Sequence, residues 1–373
     1  MEKQTTKKKS SFVPHYRRIY DDLKEKIQDG TYPGGMQLPT ERELCTEYGV
    51  ERITVRRSLE MLVQDGLVGK RPGIGTFVRS AEPTVQTQQT PSPPADSGRL
   101  LFVMHRDSND IQSNPGAFNS MLFFAMERSC KKAGYSLSFA AVSADDDFPA
   151  LIRQNNATGI FLVSKLPASF YDSIIESQLP AICLNHRDDR FLSVLPNNAD
   201  GAFDGVSQLI RLGHRRIGYI DGSPEFCNAR ERFDGYRKAL LYAGLPFDPA
   251  LVRPGNWTYE SGLQCAEALL SLPDRPTAIF AASDMMAIGA MECIRRAGLS
   301  IPGDISVIGF DGIDACTLCS PQLTSIAVNA VQMAEVSCQQ LAMLIRNGPC
   351  AHNRYTVRLK TELVERSSLS PGI

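Results

Sequence analysis

Residues 81–98 limit what this chain can fold into more than any other stretch. Over 82–98 they read EPTVQTQQTPSPPADSG, almost entirely Pro, Gln, Ser and Thr. Such a segment cannot bury enough apolar surface to offset the entropy of ordering it, and reads as a linker. The residues on either side must therefore fold as separate units, each around its own core. With 373 residues, 43% of them hydrophobic, the chain has material for two or three domains.

The two sides differ in charge. Residues 1–80 hold 15 Lys and Arg against 11 Asp and Glu, a net of +4, and the remainder holds 25 against 30, a net of −5. A basic module joined to an acidic one points to a polyanion partner for the first part alone. The start, MEKQTTKKKSSF, is basic without an apolar stretch behind it, so residues 1–13 read as a disordered tail and not a signal peptide. No apolar run reaches 18 residues, so no spanning helix and no membrane partner are expected.

Residues 14–80 predict a small α+β unit. HYRRIYDDLKEKIQDG carries Tyr16, Ile19, Tyr20, Leu23 and Ile27 at helical spacing and stops at Gly30. LPTERELCTEYG holds a capping box, Thr40 with Glu43, and a short helix ending near Gly49. ERITVRRSLEMLVQDG follows, with Val55, Leu59 and Leu62 inward and Gly66 as its end, and LVGKRPGIGTFV reads as a hairpin turning at Pro72-Gly73. Helix, tight turn, helix is the layout in which the second helix enters the major groove. Arg52 and Arg56 share one face of that helix, while Thr54, Arg56 and Arg57 project near its start. Arginine suits bidentate contact with guanine or phosphate. A solvated basic face is the bland alternative.

LPTERELCTEYGVERITVRRSLEMLVQDGLVGKRPGIGTFV resembles the winged helix-turn-helix of the GntR family across nearly all of 14–79. The resemblance implies that Arg42, Arg52 and Arg56 are the principal DNA contacts, with Thr54 beside them. Gly73 would let the wing tip approach the minor groove, and Arg71 could enter it or hold a phosphate. Arg57 lies off the stripe and is expected at a phosphate or in solvent.

From Arg99 onward short apolar strands alternate with helices: RLLFVMH, SLSFAAV, GIFLVS, PAICLN, RIGYID, AIFAAS and ISVIGF. That alternation predicts parallel doubly wound sheets, and over residues 99–373 two lobes suit it better than one. Such sheets bind ligands at the carboxyl ends of their strands. Those ends carry Asn185, Asp221, Ser283-Asp284 and Asp311, groups suited to a polyhydroxylated ligand, with Trp257 as a platform for a sugar ring. Against this, Asp284 before MMAIGAM fits a helix N-cap, and Trp257 alone is more readily a core residue.

SVLPNNADGAFDGVSQLIRLGHRRIGYIDGS, ARERFDGYRKAL, AIFAASDMMAIGAM and ISVIGFDGID resemble landmarks of the lac-repressor (LacI/GalR) type effector domain, which is similar to periplasmic sugar-binding proteins. The resemblance spans 99–366. It implies that Arg232 and Asp311 grip the ligand and that Asn185, Asn228, Trp257 and Ser283 line the cleft. The family usually has Asn where Ser283 stands and often Asp where Asn185 stands, so both departures shorten or neutralise a polar arm. The fusion resembles the arabinose repressor subgroup.

The expected function is a ligand-responsive bacterial transcriptional regulator. It would be a homodimeric repressor in the cytoplasm, nucleoid-associated while on double-stranded operator DNA, released by a small sugar or related metabolite. An activator or co-repressor-dependent regulator stays open. An enzyme fused to a DNA-binding head is the reading from another class, but GxxxxGK[ST], GxSxG and HExxH are all missing. No cofactor and no metal are called for. Ten scattered cysteines read as buried thiols, the CxxC at Cys316 and Cys319 as packing, and His214 as structural polarity at a helix-to-strand corner. An 18-residue linker would span on the order of 23–25 Å, which suggests tolerance of variable half-site spacing.

Overall fold

The computed structural model describes residues 15–33, 36–65, 67–71, 75–78, 98–105, 117–348 and 354–372. It divides between Pro91 and Ser92 into two units. The basic tail, the wing tip with Gly73, Gly66 and linker residues 81–97 lie outside the described residues.

In the first unit, α1 (His15–Gln28), α2 (Glu41–Tyr48) and α3 (Arg52–Gln64) precede β1 (Val68–Arg71) and β2 (Gly75–Val78). The capping box forms as its spacing requires: the Glu43 amide donates to Thr40 Oγ1 at 3.3 Å, and the Thr40 amide donates to Glu43 Oε2 at 2.7 Å. Gly49, at φ +63°, supplies the left-handed turn that ends α2. The strands pair antiparallel with Val68 opposite Val78. Ile19, Tyr20 and Leu23 of α1 pack with Leu44, Val55, Leu59, Leu62 and both hairpin valines in one core. Ser58, buried in α3, donates to the Tyr16 carbonyl at 2.8 Å and so ties α3 to α1.

In the second unit, the first lobe runs β3 (Arg99–His105), α4 (Ala117–Lys132), β4 (Ser136–Val142), α5 (Phe148–Gln154), β5 (Ala157–Leu162), α6 (Ala168–Glu176), β6 (Ala181–Leu184) and β7 (Leu192–Pro196). The second runs α7 (Asn198–Arg211), β8 (Ile217–Asp221), α8 (Cys227–Tyr242), β9 (Val252–Pro254), α9 (Tyr259–Leu270), β10 (Ala278–Ala281), α10 (Asp284–Arg296), β11 (Ser306–Asp311), α11 (Ala315–Leu318) and β12 (Thr324–Ala327). Then α12 (Ala330–Asn347) returns to pack on α4, β13 (Thr356–Leu359) joins the first sheet and β14 (Glu362–Val364) the second.

The sheet orders are β13-β7-β6-β5-β3-β4 and β14-β12-β11-β10-β8-β9, parallel throughout except at β14. The chain thus crosses between lobes three times, near Asn197, Asn329 and Lys360. Strand β3 shows why the sheets are covered on both sides: Leu100, Phe102 and Met104 enter one core, Leu101 and Val103 the other. All seven strands read from sequence are present. Five more, β7, β9, β12, β13 and β14, were not expected. They are three to five residues long, too short to show a period.

Candidate functional site

On the first unit, the start of α3 presents its arginines as a set. Arg52 Nε donates to Glu41 Oε2 at 2.6 Å and Arg56 Nε to Glu41 Oε1 at 3.4 Å, so one carboxylate on α2 holds both side chains of the stripe. The Arg52 guanidinium holds the Glu41 carboxyl below its ordinary range against the opposing effect of burial. Both arginines remain exposed, so the pairing contributes under about 1 kcal/mol to folding and acts mainly on side-chain direction. Arg42 is exposed and unpaired among the described residues, and Thr54 is half-buried. Arg57 lies with its guanidinium 4.2 Å from the Tyr16 ring centroid, so α1 sets its direction, and it is not simply solvated. Arg71 closes β1.

In the second unit, the six residues that the resemblance implies at a ligand site all line one cavity of about 60 Å³ between the lobes, whereas Asp221 and Asp284, named with them at strand ends, are not in its lining. Asn185 follows β6; Asn228 and Arg232 stand on the first two turns of α8; Trp257 precedes α9; Ser283 precedes α10; Asp311 ends β11. Sequence reasoning missed Phe118, Asn119, Val163, Phe226, Met285 and Ile313, which complete the wall. Phe118 and Asn119 follow strand β3, so the strand-end rule pointed near them, but eleven undescribed residues separate strand from helix.

Arg232 is fully buried, and the groups around it account for that. Its Nε donates to Asn198 Oδ1 at 2.9 Å, Nη1 donates to the Ala282 carbonyl, and Nη1 lies 3.1 Å from Asp311 Oδ1. Its flat face covers the Phe310 ring at 3.7 Å. A guanidinium removed from water is costly unless paired and bonded in this way. Asn198 also donates to Glu231 Oε2 at 3.1 Å, and Glu231 makes a bidentate pair, 2.7 and 2.9 Å, with Arg358 of β13 in the other lobe. Burial pushes the Glu231 carboxyl up, but Arg358 and Asn198 outweigh it and hold it below the ordinary range. The cleft arginine is therefore linked to the opposite lobe through two side chains, neither of them singled out from sequence.

Trp257 sits at φ +72° and Asn185 at φ +51°, while Asp311 has φ +118°. These are conformations few side chains adopt, and they cluster at the cleft. The tip of the indole lies over Gly222, where an added Cβ would come within 2.1 Å of it. The Phe226 ring meets the indole edge-on at 6.2 Å. Asn185 Oδ1 is buried at the cavity wall without a hydrogen-bond partner among the described residues.

Asp284 is not the N-cap. Ser283 caps α10, its Oγ accepting from the Met286 amide at 3.3 Å. Asp284, one residue on, is wholly buried and accepts from the Gly312 amide (2.7 Å), the Ile313 amide (3.0 Å) and Ser325 Oγ (2.6 Å). It braces the loop that follows Asp311. Ser283 thus has its hydroxyl committed to the helix while still facing the cleft. His214 bonds Thr277 and Ser306 at 2.9 and 3.1 Å, as a structural histidine does. The described cysteines are free, and Cys319 donates to the Ala315 carbonyl one turn back. No helix among the described residues is long and apolar enough to cross a membrane.

Two domain families match the chain. Bacterial regulatory proteins of the gntR family match residues 15–78, and the periplasmic binding protein-like domain matches residues 206–369. The HTH-type transcriptional repressor CytR of Escherichia coli (strain K12) is 39% identical over 186 residues, 48% of this chain and 54% of that protein. The probable HTH-type transcriptional repressor ExuR of Bacillus subtilis (strain 168) is 37% identical over 191 residues, 50% of this chain and 57% of that one. The chain spans about half the length of the curated relatives it matches. Among solved structures, a sugar-binding transcriptional regulator of the LacI family from Escherichia coli, complexed with phosphate, superposes with a TM-score of 0.59 at 26% identity, over 74% of this chain and 99% of that one.

Proposed function

We propose that this chain, a gntR-family head joined to a periplasmic-binding-protein-like domain, is a ligand-responsive transcriptional repressor that a small sugar or related metabolite releases from its operator. The observation that carries the reading is the convergence of Asn185, Asn228, Arg232, Trp257, Ser283 and Asp311 on one interlobe cleft. The relatives named as repressors and the sugar-binding neighbour support it. Arg232 and Asp311 would grip neighbouring hydroxyls, Asn185 would offer its unfilled oxygen, and Trp257 would cover an apolar ring face. A ligand held from both sides favours the closed lobes by its differential affinity, and that shift is the signal.

Arg42, Arg52, Thr54 and Arg56 would meet the DNA, with Arg57 at its edge and Arg71 and Gly73 of the wing against the minor groove. Two chains would pair through the sensor domain, in the cytoplasm where the operator is, and set two heads on an inverted repeat. Phe124 on α4 and Phe139 on edge strand β4 are both more than half exposed and suit such a contact.

Trp257 is the sole tryptophan, so intrinsic fluorescence reports on the cleft. Pentoses, hexoses, uronic acids and nucleosides should be titrated, with operator release followed in parallel. A compound that releases the protein should change the emission, and Arg232→Ala should abolish both responses while ligand-free operator binding stays intact. Release without any change in emission, or loss of operator affinity in Arg232→Ala, would overturn the assignment.

A further inference from the structure

A second cavity, of about 280 Å³, is lined from chain segments that also wall the cleft. Asn185 and Asn228 face the cleft, whereas their neighbours His186 and Cys227 line this second space. Its volume is close to the range of small-molecule sites. Its lining is cationic: Lys165, Arg187, Arg190 and Arg230 stand against Asp188 and Glu225. Arg190 is neutralised by Asp188 and Asp172, and Arg187 by Asp189, at 2.9 to 3.0 Å. Lys165 and Arg230 have no ion-pair partner among the described residues, and they approach from opposite lobes.

Two further features favour negative charge. The first turn of the 16-residue α8 borders the cavity at Cys227 and Arg230, and its N-cap residue, Phe226, has no oxygen with which to cap it. His186 is 7% exposed, and its Nδ1 has no partner among the described residues. Its Nε2 lies 3.2 Å from the Tyr171 hydroxyl, which already accepts from the Leu166 amide at 3.0 Å. In the tautomer in which the hydroxyl donates to Nε2, Nδ1 carries the imidazole proton as an unused donor.

We propose that this second cavity binds a small oxyanion group, a phosphate ester or a carboxylate, bridging Lys165 of the first lobe and Arg230 of the second. The cleft holds no uncommitted cation, because Arg232 is paired with Asp311. The proposal rests on the second cavity's own lining and not on what fills the cleft. An anion spanning both lobes changes their closing equilibrium, so the site gives the sensor a second input, reciprocal with the first.

The test uses the full-length protein in chloride buffer, titrated calorimetrically with inorganic phosphate and, separately, with succinate. Saturable binding of either is expected, and which of the two binds separates a phosphate source from a carboxylate source. The Lys165→Gln/Arg230→Gln double variant should weaken that binding at least tenfold. Arg232→Ala should retain saturable binding, and phosphate, through its effect on lobe closure, should change Trp257 emission in the wild type and not in the double variant. If the double variant loses its far-UV circular dichroism, Arg230→Gln alone, on an exposed side chain, takes its place. Absence of saturable binding by both anions, unchanged affinity in the variants, or loss of binding in Arg232→Ala would overturn the proposal.

Discussion

His186 shows what a single buried group does to the whole. Burial lowers its pKa to about 4, against an ordinary value of 6.5, with Asp188 opposing and Lys165 assisting. The folded chain therefore holds fewer protons there than the unfolded one. Its contribution is complete above about pH 6.5 and is lost as pH falls through about 4, by up to roughly 3 kcal/mol. Asp221 works the other way in the same window: burial raises it to about 6, so its contribution is present below its ordinary range and lost as pH rises through 6. Comparison of variants separates the two. Calorimetric Tm between pH 7.5 and 4.5 should fall less steeply in His186→Gln than in the wild type, and parallel profiles would refute the assignment. None of this was visible in the chain, where His186 is one polar residue after a strand. Gly222 is a similar case: nothing local marks it, and only the indole above it explains why a side chain does not fit.

Among the elements, α3 carried the clearest message and still held a surprise. Its arginines, its apolar stripe and the capped helix before it were all legible, because caps and stripes involve residues within a turn or two. Glu41 was not, since its role depends on α2 crossing α3 at one angle. If Arg52 and Arg56 contact bases, Arg52→Ala and Arg56→Ala should each cost about 1–3 kcal/mol of specific binding. Arg57→Ala should cost less and equally on operator and random DNA, because Tyr16 directs it away from the stripe. Fluorescence anisotropy on both DNAs at fixed salt decides, and equal losses of specificity in all three variants would contradict it. The sensor strands divided along similar lines. RLLFVMH and ISVIGF announce themselves by apolar runs. TSIA, TVRL and ELV do not, and it is TVRL that carries Arg358 back to the first lobe to meet Glu231.

For the whole molecule, the exposed phenylalanines bear on assembly. Phe124 and Phe139 both pack on Phe123, at 5.9 Å, so they form one aromatic patch and not two isolated rings. If the patch is the pairing surface, Phe124→Glu/Phe139→Glu should sediment as a monomer, lose operator affinity and keep its Trp257 response to effector. A variant that remains dimeric would place the interface elsewhere.

By itself the sequence determined that the chain must form two units, that one is basic and one acidic, where the arginine-bearing helix α3 starts, and that the larger unit is built on doubly wound sheets. Composition, period and capping settle these, and all of them act over short stretches of chain. Only the tertiary structure decided that Asp284 braces a loop while Ser283 caps, that Asn198 and Glu231 tie Arg232 to the far lobe, and that a cationic cavity lies next to the cleft. Those outcomes depend on pairs such as Arg232 with Asp311 and Glu231 with Arg358. They are distant along the chain, and meet because it crosses three times between two lobes.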